Sequence, residues 1–234
     1  MRNSENCCDL NTCFLCRLSI RDWLPAIEVH KKNITVKKGE QILKEGEPLK
    51  GIFFVYSGML KIHKKWDDEK ELILRFAKKG DIVGYLGLGK TPYYPITATA
   101  LEASTLCFVD MEFFESTLKV NTDVTYEMLM FFAAELQESE KRMRNLAHMP
   151  VKGRAAQALL SLKKQFGVDA DGYVNVDLNR QDIASYTGST YETLFRMINE
   201  MLKDDLIAVN GKRFLLKNEP ALLKLTEEDH VTGV

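Results

Sequence analysis

Glu192 and Arg196 stand four residues apart, a spacing that places two side chains on one face of a helix. A carboxylate so placed accepts from the N4 amine of cytosine, and a guanidinium spans O6 and N7 of guanine. The neighbouring residues supply the turns that such a pair needs. Asn179 suits the cap of one short helix, Gly188 a tight turn, and Ser189-x-x-Glu192 a capping box for a second helix. Ile183, Leu194 and Ile198 then face inward. Beyond them, Leu206–Val209 and Arg213–Leu216 flank Asn210-Gly211, a strong hairpin signal. Two short helices joined by a glycine turn, with a hairpin behind them, predict a winged helix-turn-helix. Ser189, Thr190, Tyr191 and Arg180 join the pair as candidate DNA contacts. The first three of these are read as phosphate contacts, which position without specifying. The plainer reading is that Glu192 only caps its helix and pairs with Arg196 on the surface.

Sulfur offers a second chemistry. Four of the five cysteines, Cys7, Cys8, Cys13 and Cys16, crowd the first sixteen residues, and Cys107 stands alone. With no apolar leader ahead of them, this clustering favours metal or redox chemistry over structural disulfides. Four thiolates suit a [4Fe–4S] cluster or a zinc ion, with unligated reduced thiols as the third reading. Enzymatic chemistry fits the residues poorly. The strand-rich zone holds only His63, with His30, His148 and His230 elsewhere, so the clustered ligands of a barrel metal enzyme are missing. There is no nucleophile motif or phosphate-binding loop either, and the chain is read as a non-enzyme.

These groups need elements to position them. The 234 residues are 45% hydrophobic and 28% charged, ordinary for a soluble protein of two modest domains. A net charge of −1 gives no global basic field. From Pro150 to Lys217, ten Lys or Arg stand against eight Asp or Glu, with Lys152, Arg154, Lys212 and Arg213 expected to flank a duplex. No run approaches the ~20 apolar residues of a membrane span, so a cytoplasmic location without membrane contact is expected.

Between Ile34 and Val109, strands such as Ile52–Tyr56, Met59–His63, Glu71–Phe76 and Ile96–Ala100 alternate with glycines, which argues for a barrel or jelly roll. Asn121 to Ala147 has no Pro or Gly and reads as one helix of about 40 Å. Thr125, Met128, Phe132, Leu136, Ser139, Met143 and Leu146 mark a seam along it, facing either the chain's own barrel or, as the stripe's length favours, a second copy. Tyr173–Val176 reads as a strand. The fold class is therefore α+β. A Cys-rich arm (1–20) precedes an N-terminal double-stranded β-helix, or jelly-roll, sensor domain (21–120). A dimerisation helix (121–149), a C-terminal winged helix-turn-helix (150–218) and a polar peripheral tail (219–234) follow.

In that order, barrel, long helix and winged helix resemble the CRP/FNR family of bacterial regulators over nearly the whole chain. The resemblance is carried by Lys38-Gly39-Glu40-x-Ile42, Gly46-Glu47, Tyr56-Ser57-Gly58 and Gly80-Asp81-Ile82-Val83-Gly84. It continues through Asn145-Leu146-Ala147, Gly153-Arg154-x-Ala156-Gln157, Arg180-Gln181-Asp182-Ile183-Ala184 and Tyr191-Glu192-Thr193-x-x-Arg196. It implies a homodimer on a pseudo-palindromic site in double-stranded DNA, with Glu192 and Arg196 at base-reading positions and RNA polymerase as a further partner. In cAMP-binding members, a Glu holds the ribose and an Arg-Ser pair holds the cyclic phosphate. Tyr85, Pro95 and Ile96 stand at the matching positions, and neither proline nor isoleucine gives a buried phosphate a charge or a donor. The resemblance thus argues against cAMP. It leaves open another small molecule in a pocket of Gly84, Tyr85, Leu86, Gly87, Ile96, Thr97, Ser139 and Arg142. Cys107 is similar in place to the lone distal cluster ligand of the oxygen-sensing FNR branch, so Cys8, Cys13, Cys16 and Cys107 are the implied ligands. The gaps in Cys8-x4-Cys13-x2-Cys16 depart from that branch's C-x2-C-x5-C.

Overall fold

A computed structural model describes residues 10–67 and 70–227, which form two compact units that meet in sequence at Glu135 and Leu136. Cys7, Cys8 and His230 lie outside the described residues. The first unit begins with α1 (Phe14–Leu18), a 3-10 turn and α2 (Leu24–His30). The strands that follow are β1 (Lys32–Val36), β2 (Gln41–Leu43), β3 (Gly51–Ser57) and β4 (Met59–Lys65). After them come β5 (Glu71–Lys78), β6 (Ile82–Val83), β7 (Thr97–Ala100) and β8 (Ser104–Asp110). They pair antiparallel in two four-stranded sheets, β1-β8-β3-β6 and β2-β7-β4-β5, the jelly-roll arrangement predicted.

β3 shows why this roll has two cores. Its run Ile52–Val55 is apolar without alternation, the mark of a strand covered on both faces. Phe53 and Val55 turn into the roll beside Leu60, Ile62, Tyr94, Ile96 and Leu106. Ile52 and Phe54 turn outward and meet Leu15 and Cys16 of α1. Phe54 pairs with Cys107 across the ladder, so the period-2 alternation of β8 presents Cys107 to the arm. The Trp23 indole N–H donates to Thr117 Oγ1 at 3.0 Å, tying the segment just after the arm to α3 (Met111–Val120).

The long helix is present as α4 (Thr122–His148). Its expected seam splits in two. Val124 and Met128 are buried in the outer core of the roll, with Phe131 and Phe132 packed against it. The exposed apolar side chains are Tyr126, Leu129 (64%), Met130, Leu136 (61%) and Met143 (64%). Met128 and Phe132 therefore belong to the face the roll covers. A helix with 3.6 residues per turn can carry two apolar stripes, and spacing alone had merged them.

The second unit adds α5 (Val151–Phe166), α6 (Arg180–Thr187), α7 (Tyr191–Lys203), the hairpin β9 (Ile207–Asn210) and β10 (Arg213–Leu216), and α8 (Glu219–Lys224). Asn210 pairs with Arg213, so Gly211 takes the first turn position with φ +60°. Tyr173–Val176 does not form the expected strand. It makes one isolated bridge, Val168 to Val174, and the Val176 N–H turns back to Val174 O at 2.8 Å, a tight turn that ends extended pairing. The chain beyond Lys217 is not wholly peripheral: Leu222 of α8 is fully buried. A side chain on Gly153 would put its Cβ 2.5 Å from Leu225 O, which explains glycine on α5 at this point.

Candidate nucleic-acid interface

The helix-turn-helix is built from its caps inward. Asn179 Oδ1 accepts from the Asp182 N–H at 2.6 Å and starts α6. Gly188, at φ +62°, ends it in the left-handed region, where its N–H returns to the last turn. The helix cap expected at Ser189 sits one residue later, and as a simple cap rather than a capping box. Ser189 N–H is still held by Ala184 O at 3.0 Å, closing α6, so Thr190 becomes the cap and Thr190 Oγ1 accepts from Thr193 N–H at 3.2 Å. Ser189 instead faces Thr187 Oγ1 at 2.8 Å. Leu194, Ile198 and Met201 bury the inner face of α7, each contributing about 1.5–3 kcal/mol by removal from water.

With the cap at Thr190, the Glu192 side chain stands in the first turn of α7 and takes no part in the cap. Among the described residues, neither Glu192 nor Arg196 makes a side-chain hydrogen bond or ion pair, and both are exposed. Their mutual surface pair, the plainer reading of the spacing, is not formed. Tyr191 is exposed beside them, its ring stacked on that of Phe195.

Arg180 has a different position. Its guanidinium donates to Gly211 O at 3.0 Å and Lys212 O at 3.1 Å, and lies 4.0 Å over the Phe214 ring. It pins the hairpin to the start of α6. Lys152 and Arg213 are also engaged. Lys152 pairs with Asp204 at 2.8 Å, and Arg213 pairs with Asp169 and covers the Tyr173 ring. Among the four expected flanking cations, only Lys212 at the exposed hairpin tip makes neither an ion pair nor a side-chain hydrogen bond among the described residues.

Arg154 is the positioning residue that spacing did not reveal. It donates to Leu146 O and Met149 O at 3.3 and 2.8 Å, and to Thr187 O and Gly188 O at 2.9 and 3.3 Å. One guanidinium thus satisfies carbonyls at the end of α4 and in the turn that presents α7. Arg154→Met is expected to lower unfolding stability by about 2 kcal/mol, since charged donors to otherwise unpaired carbonyls are lost. Thermal unfolding followed by circular dichroism checks this, and an unchanged midpoint would remove the role.

Among the expected effector residues of the first unit, Tyr85 and Ile96 lie in different cores. Tyr85, 2% exposed, points into the outer core, with Phe131 and Phe132 edge-on at 4.8 and 5.7 Å. Its hydroxyl donates to Glu135, and burial pushes its pKa well above the ordinary tyrosine value. Ile96 lies in the other core, inside the roll, and the Thr97 hydroxyl accepts from Glu45 N–H at 3.1 Å. Gly84 and Gly87 flank the turn at Tyr85, and Leu86 is exposed. Ser139 and Arg142 belong to the second unit, where Ser139 is exposed and Arg142 donates to Tyr186 O at 2.7 Å and stacks over its ring. Tyr85 and Ile96 thus serve two separate cores, and the Thr97 and Arg142 side chains already hold partners within the protein.

The cysteines come closer together. Cys13 and Cys107 line one small cavity with Thr12, Phe54, Val55, Tyr56 and Lys79, and Cys16 is buried in the same outer core. Among the described residues, no three metal-ligating side chains converge.

A jelly roll followed by a long helix, and a helix-turn-helix that exposes an unpaired Glu and Arg at its second helix, define a DNA-binding regulator. Residues 33–121 match the cyclic nucleotide-binding domain family, and residues 153–225 match the Crp-like helix-turn-helix domain family. The chain is 29% identical over 189 residues to the anaerobic regulatory protein of Bacillus subtilis, covering 79% of each. It is 27% identical over 206 residues to the fumarate and nitrate reduction regulatory protein of Escherichia coli K12, covering 87% of this chain and 81% of that one. The solved structure of FixK2 from Bradyrhizobium japonicum superposes with a TM-score of 0.75 at 24% identity, covering 84% of this chain and 98% of that one. The chain belongs to the CRP/FNR family of transcription regulators.

Proposed function

We propose that the chain acts, without enzymatic activity, as a cytoplasmic homodimer on a pseudo-palindromic DNA site, where Glu192 and Arg196 read base edges in the major groove. The observation that carries this is the exposed, unpaired state of both side chains at the start of α7. Thr190 and Tyr191 at that helix end, with Lys212 on the hairpin, supply the phosphate contacts; Arg180 orients the hairpin rather than the duplex. Engagement of Lys152, Arg154 and Arg213 within the protein makes the field of one subunit weak, which favours two-fold binding. The exposed stripe of Leu129, Leu136 and Met143 supports pairing with a second copy. The bound dimer in turn addresses RNA polymerase. Titration of a labelled operator at several salt concentrations tests the reading. A specific complex with a steep salt slope is expected, and equal affinity for scrambled duplex would end it.

The switch is assigned to sulfur rather than to a cyclic nucleotide. Pro95 and Ile96 stand where a cyclic phosphate needs a cation and a hydroxyl, and Ile96 is packed inside the roll. Cys13 and Cys107 share a cavity beside buried Cys16, a soft donor set suited to a [4Fe–4S] cluster or zinc, with Cys8 as the fourth thiolate. Phe14, next to Cys13, packs on Phe131 of α4 at 6.0 Å, and Phe131 meets Tyr85. A change at the arm is thereby felt by the long helix. Protein purified without air is expected to contain iron with visible thiolate-to-iron absorption, or stoichiometric zinc. A colourless, metal-free preparation refutes the thiolate-held group.

A further inference from the structure

Phe195 has a place on the reading helix and leaves about half of its surface exposed there. It is 51% exposed, and its ring lies on the exposed Tyr191 ring with centroids 6.2 Å apart and planes 11° from parallel. A lone apolar side chain on a surface is ordinary. This one is an aromatic pair, stacked at i and i+4, on the helix face that carries the unpaired Glu192 and Arg196. At about 100° per residue, Tyr191, Glu192, Phe195 and Arg196 fall within an arc of roughly 140° that excludes buried Leu194, Ile198 and Met201, with Tyr191 at the edge beside Ile198. The stack fixes the direction of the Phe195 ring, so a contact made by it costs little further ordering. In the major groove, the apolar feature that base pairs offer is the 5-methyl of thymine, a recognised partner for such a side chain.

We propose that Phe195, held in place by Tyr191, is a specificity-determining residue that selects thymine through its 5-methyl group, at a base pair next to those read by Glu192 and Arg196. The proposal rests on α7 being the base-reading helix. It adds to that reading a base preference that no hydrogen-bonding residue supplies.

Replacing thymine by deoxyuridine removes only the methyl. The full-length chain is used to recover sites from random duplexes, and each thymine of the recovered site is then changed to deoxyuridine in turn. One position per half-site is expected to weaken binding about fourfold, the transfer free energy of one methyl group. Phe195→Ala binds thymine and uracil equally at that position, and Phe195→Leu keeps the preference for thymine. Because about half of the ring is buried, Phe195→Ala is expected to lower the unfolding midpoint slightly and Phe195→Leu less, and the midpoint is measured alongside to show that both variants are folded at the assay temperature. A site whose thymines can all be replaced without loss, or a uracil penalty that survives in Phe195→Ala, overturns the proposal. Failure to recover any sequence overturns the base-reading assignment of α7 itself, so the two failures are distinguishable.

Discussion

Arg196→Ala is expected to remove most sequence discrimination while leaving the fold and the non-specific affinity nearly unchanged. A bidentate guanidinium contact to guanine is worth about 1–3 kcal/mol, and a two-fold complex makes it twice, so about 2–6 kcal/mol of specific binding is lost. Arg196 is exposed and holds no partner within the protein, so the unfolding free energy moves by no more than about 0.5 kcal/mol. Competition between operator and scrambled duplex at one salt concentration reads the effect directly. Glu192→Ala relaxes the preference at the neighbouring cytosine by a smaller amount. An Arg196→Ala protein that keeps its sequence preference would show that the base-reading side chain lies elsewhere on α7.

The second large effect concerns the long helix. Leu129→Glu with Leu136→Glu places two charges on each copy of the exposed stripe of α4. Burying each leucine in a helix pair is worth about 1.5–3 kcal/mol, so a dimer that loses four of them loses about 6–12 kcal/mol of association energy. Sedimentation is expected to show a dimer for the wild type and a monomer for the variant. The monomer, reading one half-site, falls at least about 100-fold in operator affinity as the second set of contacts is lost. Because both leucines face solvent in the single chain, its folding should survive the change. A variant that remains dimeric would place the interface on another surface.

The features legible in the sequence were those that backbone geometry dictates. Gly188 had to adopt positive φ between two short helices, Asn179 had to cap the first, and Asn210-Gly211 had to close a hairpin. The alternating and continuous apolar runs gave the roll, including strand β3 with its two covered faces. What escaped depended on partners distant in the chain. Ser189 matched a capping box by spacing, but its N–H was already needed by Ala184 O. Met128 and Phe132 fitted the seam by period and are claimed by the roll. Arg154 looked like a cation flanking the duplex because nothing in its neighbourhood announces four carbonyls brought to it by α4 and α6. The effector residues were likewise chosen by position along the chain. Tyr85 and Ile96 are eleven positions apart in the chain, yet they point into separate cores on either side of a sheet. Phe195 was readable in principle as an apolar residue on a face that should be polar.

Reading of DNA by α7 in two symmetric copies is the claim on which the rest depends. Selection of bound duplexes from a random pool by the full-length chain tests it most directly. The recovered sequences are predicted to contain inverted half-sites centred about one helical turn, roughly 10 base pairs, apart, each with a G·C pair that Glu192→Ala and Arg196→Ala relax. A pool that shows no enrichment, or a single half-site without inverted symmetry, would contradict the account.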